Sequence, residues 1–151
     1  MKPASRVILT AGLIAGALDI LYVIIIYGVR GVPATRILQG IAAGLLGSAA
    51  AGKGGVATAG LGLALHFVIA VGAAAAFYAV SRRLRFLVEY PVIGGLLFGG
   101  AVWLFMNLIV LPLSANPPRS FPPPQWGTVF VAHLLCVGLP IALVVRREIG
   151  K

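Results

Sequence analysis

Four strongly polar side chains stand inside apolar runs of this chain: Asp19, His66, Asn107 and His133. A carboxylate and two imidazoles are proton-handling groups, and an Asp at the centre of a lipid-embedded helix costs about 3 kcal/mol. Groups of that cost normally face a bundle interior rather than lipid. A lone carboxylate in low dielectric takes up a proton, whereas a nearby imidazolium favours its charged form. The expectation is a hydrogen-bonded Asp19–His66 pair within an intramembrane polar cluster of all four residues.

The neighbours at helical spacing give the direction each group faces. Gly12, Ala15 and Gly16 lie on the face of Asp19, in the run AGALDILYVIII. Ala59, Gly62, Ala70 and Ala73 lie on the face of His66. Stripes of Gly and Ala let helix backbones approach closely, so they mark helix–helix seams. Gly95 and Gly99, in GGLLFGG, have the same character. At about 1.5 Å of rise per residue, Asp19 lies about 18 Å from one membrane edge and His66 about 15 Å from the other. Those depths match in a bilayer core of about 30 Å. Asn107 and His133 fall somewhat nearer the outer edge.

Three uses fit such a cluster. It can be packing glue, worth about 0.6 kcal/mol per interhelical hydrogen bond. It can line a proton or ion path, as intramembrane Asp and His often do. Two histidines on different helices can also ligate a b-type haem. Against haem, the depths of His66 and His133 differ by about 7 Å, so no cofactor is expected.

Enzymatic chemistry has little support. HExxH, GxSxG and P-loop patterns are absent, and Asp19, Glu89 and Glu148 are the only acids. One Asp and two His make a weak metal set, so no metal and no catalytic residue are assigned. The single cysteine, Cys136, excludes an intramolecular disulfide and any CxxC motif.

These side chains must be carried by membrane helices. The chain has 151 residues, is 60% hydrophobic and only 10% charged, too little charge to cover a soluble domain. Spans of about 20 apolar residues are expected over 7–27, 56–80, 92–113 and 128–145, in a single domain, 1–151. The last is interrupted by Pro140 and is the shortest. A short helix over about 34–51, opened by Pro33, is too short to span and reads as interfacial or re-entrant. The N-terminal apolar run is too long for a signal peptide and reads as an uncleaved first span.

A net charge of +9 does not indicate nucleic acid here, because the basic residues flank the apolar spans. Lys2, Arg6, Arg82, Arg83, Arg85, Arg146, Arg147 and Lys151 fall on one side of a four-span chain. Arg30, Arg36, Lys53 and Arg119 fall on the other. The positive-inside rule then puts both termini in the cytoplasm. The proline-rich segment SANPPRSFPPPQWG becomes a stiff outer strap, with Trp126 at the interface.

Three stretches carry a resemblance: LHFVIAVG around His66, GGLLFGGAVWLFMNLIVLPLSANPP, and AHLLCVGLPIALVVRRE around His133. Over roughly the C-terminal two thirds, the chain resembles small bacterial inner-membrane proteins of the YagU-like type. The resemblance implies a multi-span inner-membrane protein and brings no established activity with it. The chain is shorter than that type before the second span.

The expected object is an all-α membrane protein of four transmembrane helices plus one short helix, embedded in the lipid bilayer. Its expected role is structural or accessory, in a homo-oligomer or larger membrane complex. The alternative is a proton- or ion-coupled transporter using Asp19 and His66.

Overall fold

The computed structural model describes residues 3–117, 120–122 and 126–149. Four helices in it are long and apolar enough to cross a membrane: α1 (Ala4–Gly28), α4 (Gly55–Ser81), α6 (Pro91–Leu113) and α7 (Trp126–Ile149). Between the first two lie α2 (Ala34–Leu46) and α3 (Ser48–Lys53), and the four-residue α5 (Phe86–Glu89) precedes α6. No strand occurs among the described residues. The chain is a multi-pass, all-helical membrane protein.

The seams form where small residues permit them. On α1 the buried positions Val7, Ala11, Gly12, Ala15, Gly16, Asp19 and Ile20 recur at helical spacing. A Cβ added at Gly12 would lie 2.6 Å from Val71 Cα, so α1 and α4 meet nearly backbone to backbone. The other side of α1 packs on α7, and α6 packs on α7 in turn. A Cβ at Gly95 would stand 2.8 Å from Leu139 Cα, and one at Gly99 equally close to Leu134 Cα. Gly62 faces the backbone of Leu38 and Ala42, which seats α2 across the first turns of α4.

Spatial order is therefore α2, α4, α1, α7, α6, an arc rather than a closed square. At the end where α1 begins and α4 ends, the arc closes. Phe77 of α4 and Phe98 of α6 stack edge to face at 5.0 Å. Val7, Ala11, Leu87, Ile141 and Val145 complete an apolar plug around them. At the opposite end the residues after α6 reach α2, where the Ala115 N–H donates to the Gly44 carbonyl at 2.8 Å, and a groove remains between α2, α4 and α6.

Two boundaries differ from expectation for identifiable reasons. The fourth span runs to Ile149, so Pro140 does not shorten it. A stretch of i→i+5 hydrogen bonding over His133–Gly138 directly precedes that proline. A matching stretch over Met106–Val110 precedes Pro112 in α6. Proline cannot donate to the carbonyl four residues back and crowds it; a widened turn relieves both problems. The short helix expected over 34–51 is broken at Gly47, whose φ of +78° lies in the left-handed region that glycine adopts freely. Part of the proline strap (Pro118, Arg119 and 123–125), with Lys2 and Lys151 of the charge count, lies outside the described residues.

Candidate functional site: an acceptor-lined cavity between the helices

Asp19, His66 and His133 line one cavity of about 210 Å³, from α1, α4 and α7 respectively. The remaining wall is apolar, including Ile37 and Ile41 of α2 and Val102 and Met106 of α6. Asp19 is 8% exposed, and its Oδ1 is enclosed without a hydrogen-bond partner among the described residues. Cys136, on α7, lies close enough to Asp19 for the two to interact electrostatically.

The expected Asp19–His66 hydrogen bond is replaced by another. His66 Nε2 donates instead to the carbonyl of Gly16 at 2.9 Å, one turn before Asp19. Glycine explains the choice. Gly16 sits so tightly under Phe67 that a Cβ would come within 2.9 Å of its ring. With no side chain in the way, the free lone pair of the Gly16 carbonyl is open to α4.

On α7, His133 Nδ1 donates at 2.9 Å to the carbonyl of Val129. A carbonyl only accepts, so each contact fixes the ring tautomer. In neutral rings the proton sits on Nε2 of His66 and on Nδ1 of His133. The lone-pair nitrogens, Nδ1 of His66 and Nε2 of His133, have no hydrogen-bond partner among the described residues. Together with the Asp19 carboxylate they make three acceptors, and among the described residues no side chain donates a hydrogen bond to any of them.

Asn107 does not join this group. Its Nδ2 turns back to the carbonyl of Trp103 at 2.9 Å. It lines a separate cavity of about 170 Å³ with Pro112, Asn116 and Phe121. Asn107 lies within the widened turn of α6, where simple helical spacing no longer gives the direction of a side chain.

Beside the central cavity lies a groove of about 700 Å³, lined from α1, α2, α4, α6 and the residues after α6. Cavity and groove share Val23, Ile37, Ile41, Ile69 and Met106, so they adjoin. Tyr27, Arg36, Ser114 and Asn116 are the groove's polar residues. Asp19 therefore lies in a cavity that adjoins this groove, with the apolar plug toward the other end of the bundle.

Two site features escaped the sequence reading. Gln39, 8% exposed, donates from Nε2 to the carbonyl of Gly55 at 3.0 Å and pins α2 to the start of α4. Its signal was present in Ala42 and Ala43, small residues one turn on and also buried. The groove itself arises from the arc order, which no single helix encodes. Among the described residues no three His, Cys, Asp or Glu side chains converge tightly enough to hold a metal ion. No family model, curated protein or solved structure matches the chain.

Proposed function

We propose that this chain is a YagU-like protein of the bacterial inner membrane, both termini cytoplasmic, that exchanges protons at Asp19 as part of a proton-coupled transport path. The observation that carries this reading is the cavity with three hydrogen-bond acceptors to which no described side chain donates. An ionised carboxylate in a low-dielectric cavity needs a compensating positive charge. A proton supplies it with the least volume, and imidazole is the side chain that most readily exchanges one near neutral pH. The groups facing Asp19 are His66 from α4 and His133 and Cys136 from α7. The walls from α2 and α6 bring no titratable group into the cavity, and Arg36 belongs to the groove beside it.

Packing alone accounts poorly for these residues. The seams of α1, α4, α6 and α7 are already made by glycine and alanine. A role as structural glue leaves the enclosed Asp19 oxygen without a reason, since an unpaired buried acceptor costs stability. A cavity beside a groove, with an apolar plug at the other end, is compatible with alternating access and is what supports a transport role over packing.

Purified protein in liposomes, with a pH-sensitive dye inside, tests the reading. An imposed pH gradient should collapse faster than in empty liposomes, and Asp19→Asn should abolish the difference. Equal rates for wild type and Asp19→Asn would remove the proposal. Stable co-purification with a larger membrane complex, with no flux by the chain alone, would return it to an accessory role.

A further inference from the structure

A further cavity, of about 830 Å³, lies at the plugged end of the bundle, away from the central cavity. Its lining brings Arg82 from the end of α4, Arg85 from the turn before α5, and Arg146 from the last turns of α7. The N–H groups of Arg83 and Leu84 both bond the Val80 carbonyl, at 2.9 and 2.8 Å, and this tight turn sets Arg82 and Arg85 around one opening. Tyr78 and Tyr90 add two hydroxyls, and Glu89 is the only acid among the described residues of the lining. Three guanidiniums against one carboxylate leave a net positive cavity. None of the three arginines makes an ion pair with a described residue.

Each guanidinium presents a planar fork of donors suited to phosphate oxygens. The surroundings decide between a soluble phosphate and a lipid. Tyr90 stands at the start of α6, and Ile93 and Leu97 follow it at helical spacing along the same face. Tyr90, Ile93 and Leu97 are 62%, 57% and 59% exposed. The cavity therefore opens onto an apolar strip running along a membrane-spanning helix. A molecule with its phosphate among the arginines would lay acyl chains along that strip.

We infer that the Arg82–Arg85–Arg146 cavity is a binding site for the phosphate headgroup of an anionic phospholipid. The site holds one lipid at the junction of α4, α5 and α7, where basic pockets between transmembrane helices meet the charged leaflet. It is independent of the proton-exchange reading, because no residue is shared with the central cavity.

Native mass spectrometry of the delipidated chain in mild detergent tests this. The probes are phosphatidylglycerol, phosphatidylcholine and inorganic phosphate. Wild type should retain one phosphatidylglycerol in preference to phosphatidylcholine. Removing Arg85 and Arg146 as R85Q/R146Q should weaken that preference by about fivefold per arginine. The neighbouring pair R83Q/R147Q, outside the lining, should keep it. If R85Q/R146Q does not fold by circular dichroism, R146Q alone carries the test. An equal loss in both pairs would mean diffuse surface charge and overturn the site. Retention of inorganic phosphate without any lipid preference would overturn the lipid assignment.

Discussion

His66 hydrogen-bonds the backbone of Gly16 at 2.9 Å, and the carboxylate one turn further along the same helix is left with an unpartnered oxygen. That arrangement separates two jobs that the sequence suggested were one. His66 ties α4 to α1 through one ring nitrogen, and the other has no hydrogen-bond partner among the described residues. Asp19 is free to change its protonation state without breaking an interhelical bond.

The first consequence concerns stability. Asp19→Asn keeps the shape of the side chain and removes a buried ionisable group. Unfolding in detergent should shift by no more than about 1 kcal/mol, because no hydrogen bond of Oδ1 is lost. A loss of several kcal/mol would show that Asp19 holds the bundle together.

His66→Phe keeps the bulk of the ring and removes the bond to Gly16. The expected cost is about 0.6 to 1.7 kcal/mol, the range for interhelical hydrogen bonds in a membrane protein. Nitrogen-15 solid-state NMR should show neutral His66 protonated at Nε2 and neutral His133 protonated at Nδ1. Reversed tautomers would undo the acceptor count on which the cavity's chemistry rests.

Glycine substitutions should divide sharply by position. Gly12→Val places new atoms against Val71 Cα, where a Cβ alone comes to 2.6 Å, and should cost about 1–3 kcal/mol or prevent folding. Gly60→Ala meets nothing within 4 Å and should stabilise α4 by about 0.5–1 kcal/mol. Thermal unfolding followed by circular dichroism reads both. Equal effects would mean that α1 and α4 are not held backbone to backbone.

Where α6 faces the start of α7, Trp103 is 4% exposed, and its enclosed Nε1 has no hydrogen-bond partner among the described residues. It packs against Phe130 at 5.2 Å, Phe121 at 5.7 Å and Trp126 at 6.2 Å. Trp103→Phe removes an unsatisfied donor and some aromatic area, opposing effects of similar size. Stability should stay within about 1 kcal/mol of wild type, whereas Trp103→Ala should lose about 3–5 kcal/mol. A large loss in the Phe variant would reveal a hydrogen bond to the indole.

The four spans and the intervening short helix were legible because continuous apolar runs and span length are local properties. The small-residue faces of Asp19 and His66 were legible for the same reason, since helical spacing carries directly into a seam. Asn107 was misplaced because the widened turn at Met106–Val110 shifts the register on which spacing arguments depend. The Asp19–His66 bond was misjudged because depth matching compares side chains and ignores a backbone carbonyl bared by glycine. Gln39 was overlooked because a polar residue on a short amphipathic helix resembles a solvated face until α4 is packed against it.

Proton exchange at Asp19 within the cavity is read directly by infrared difference spectroscopy of the reconstituted protein. Under an imposed proton gradient, the carboxylic-acid carbonyl band of Asp19 should appear and disappear as the proton is exchanged. The band should be present in wild type, perturbed in a His66→Phe variant and absent from Asp19→Asn. Identical difference spectra for wild type and Asp19→Asn would contradict proton exchange at Asp19.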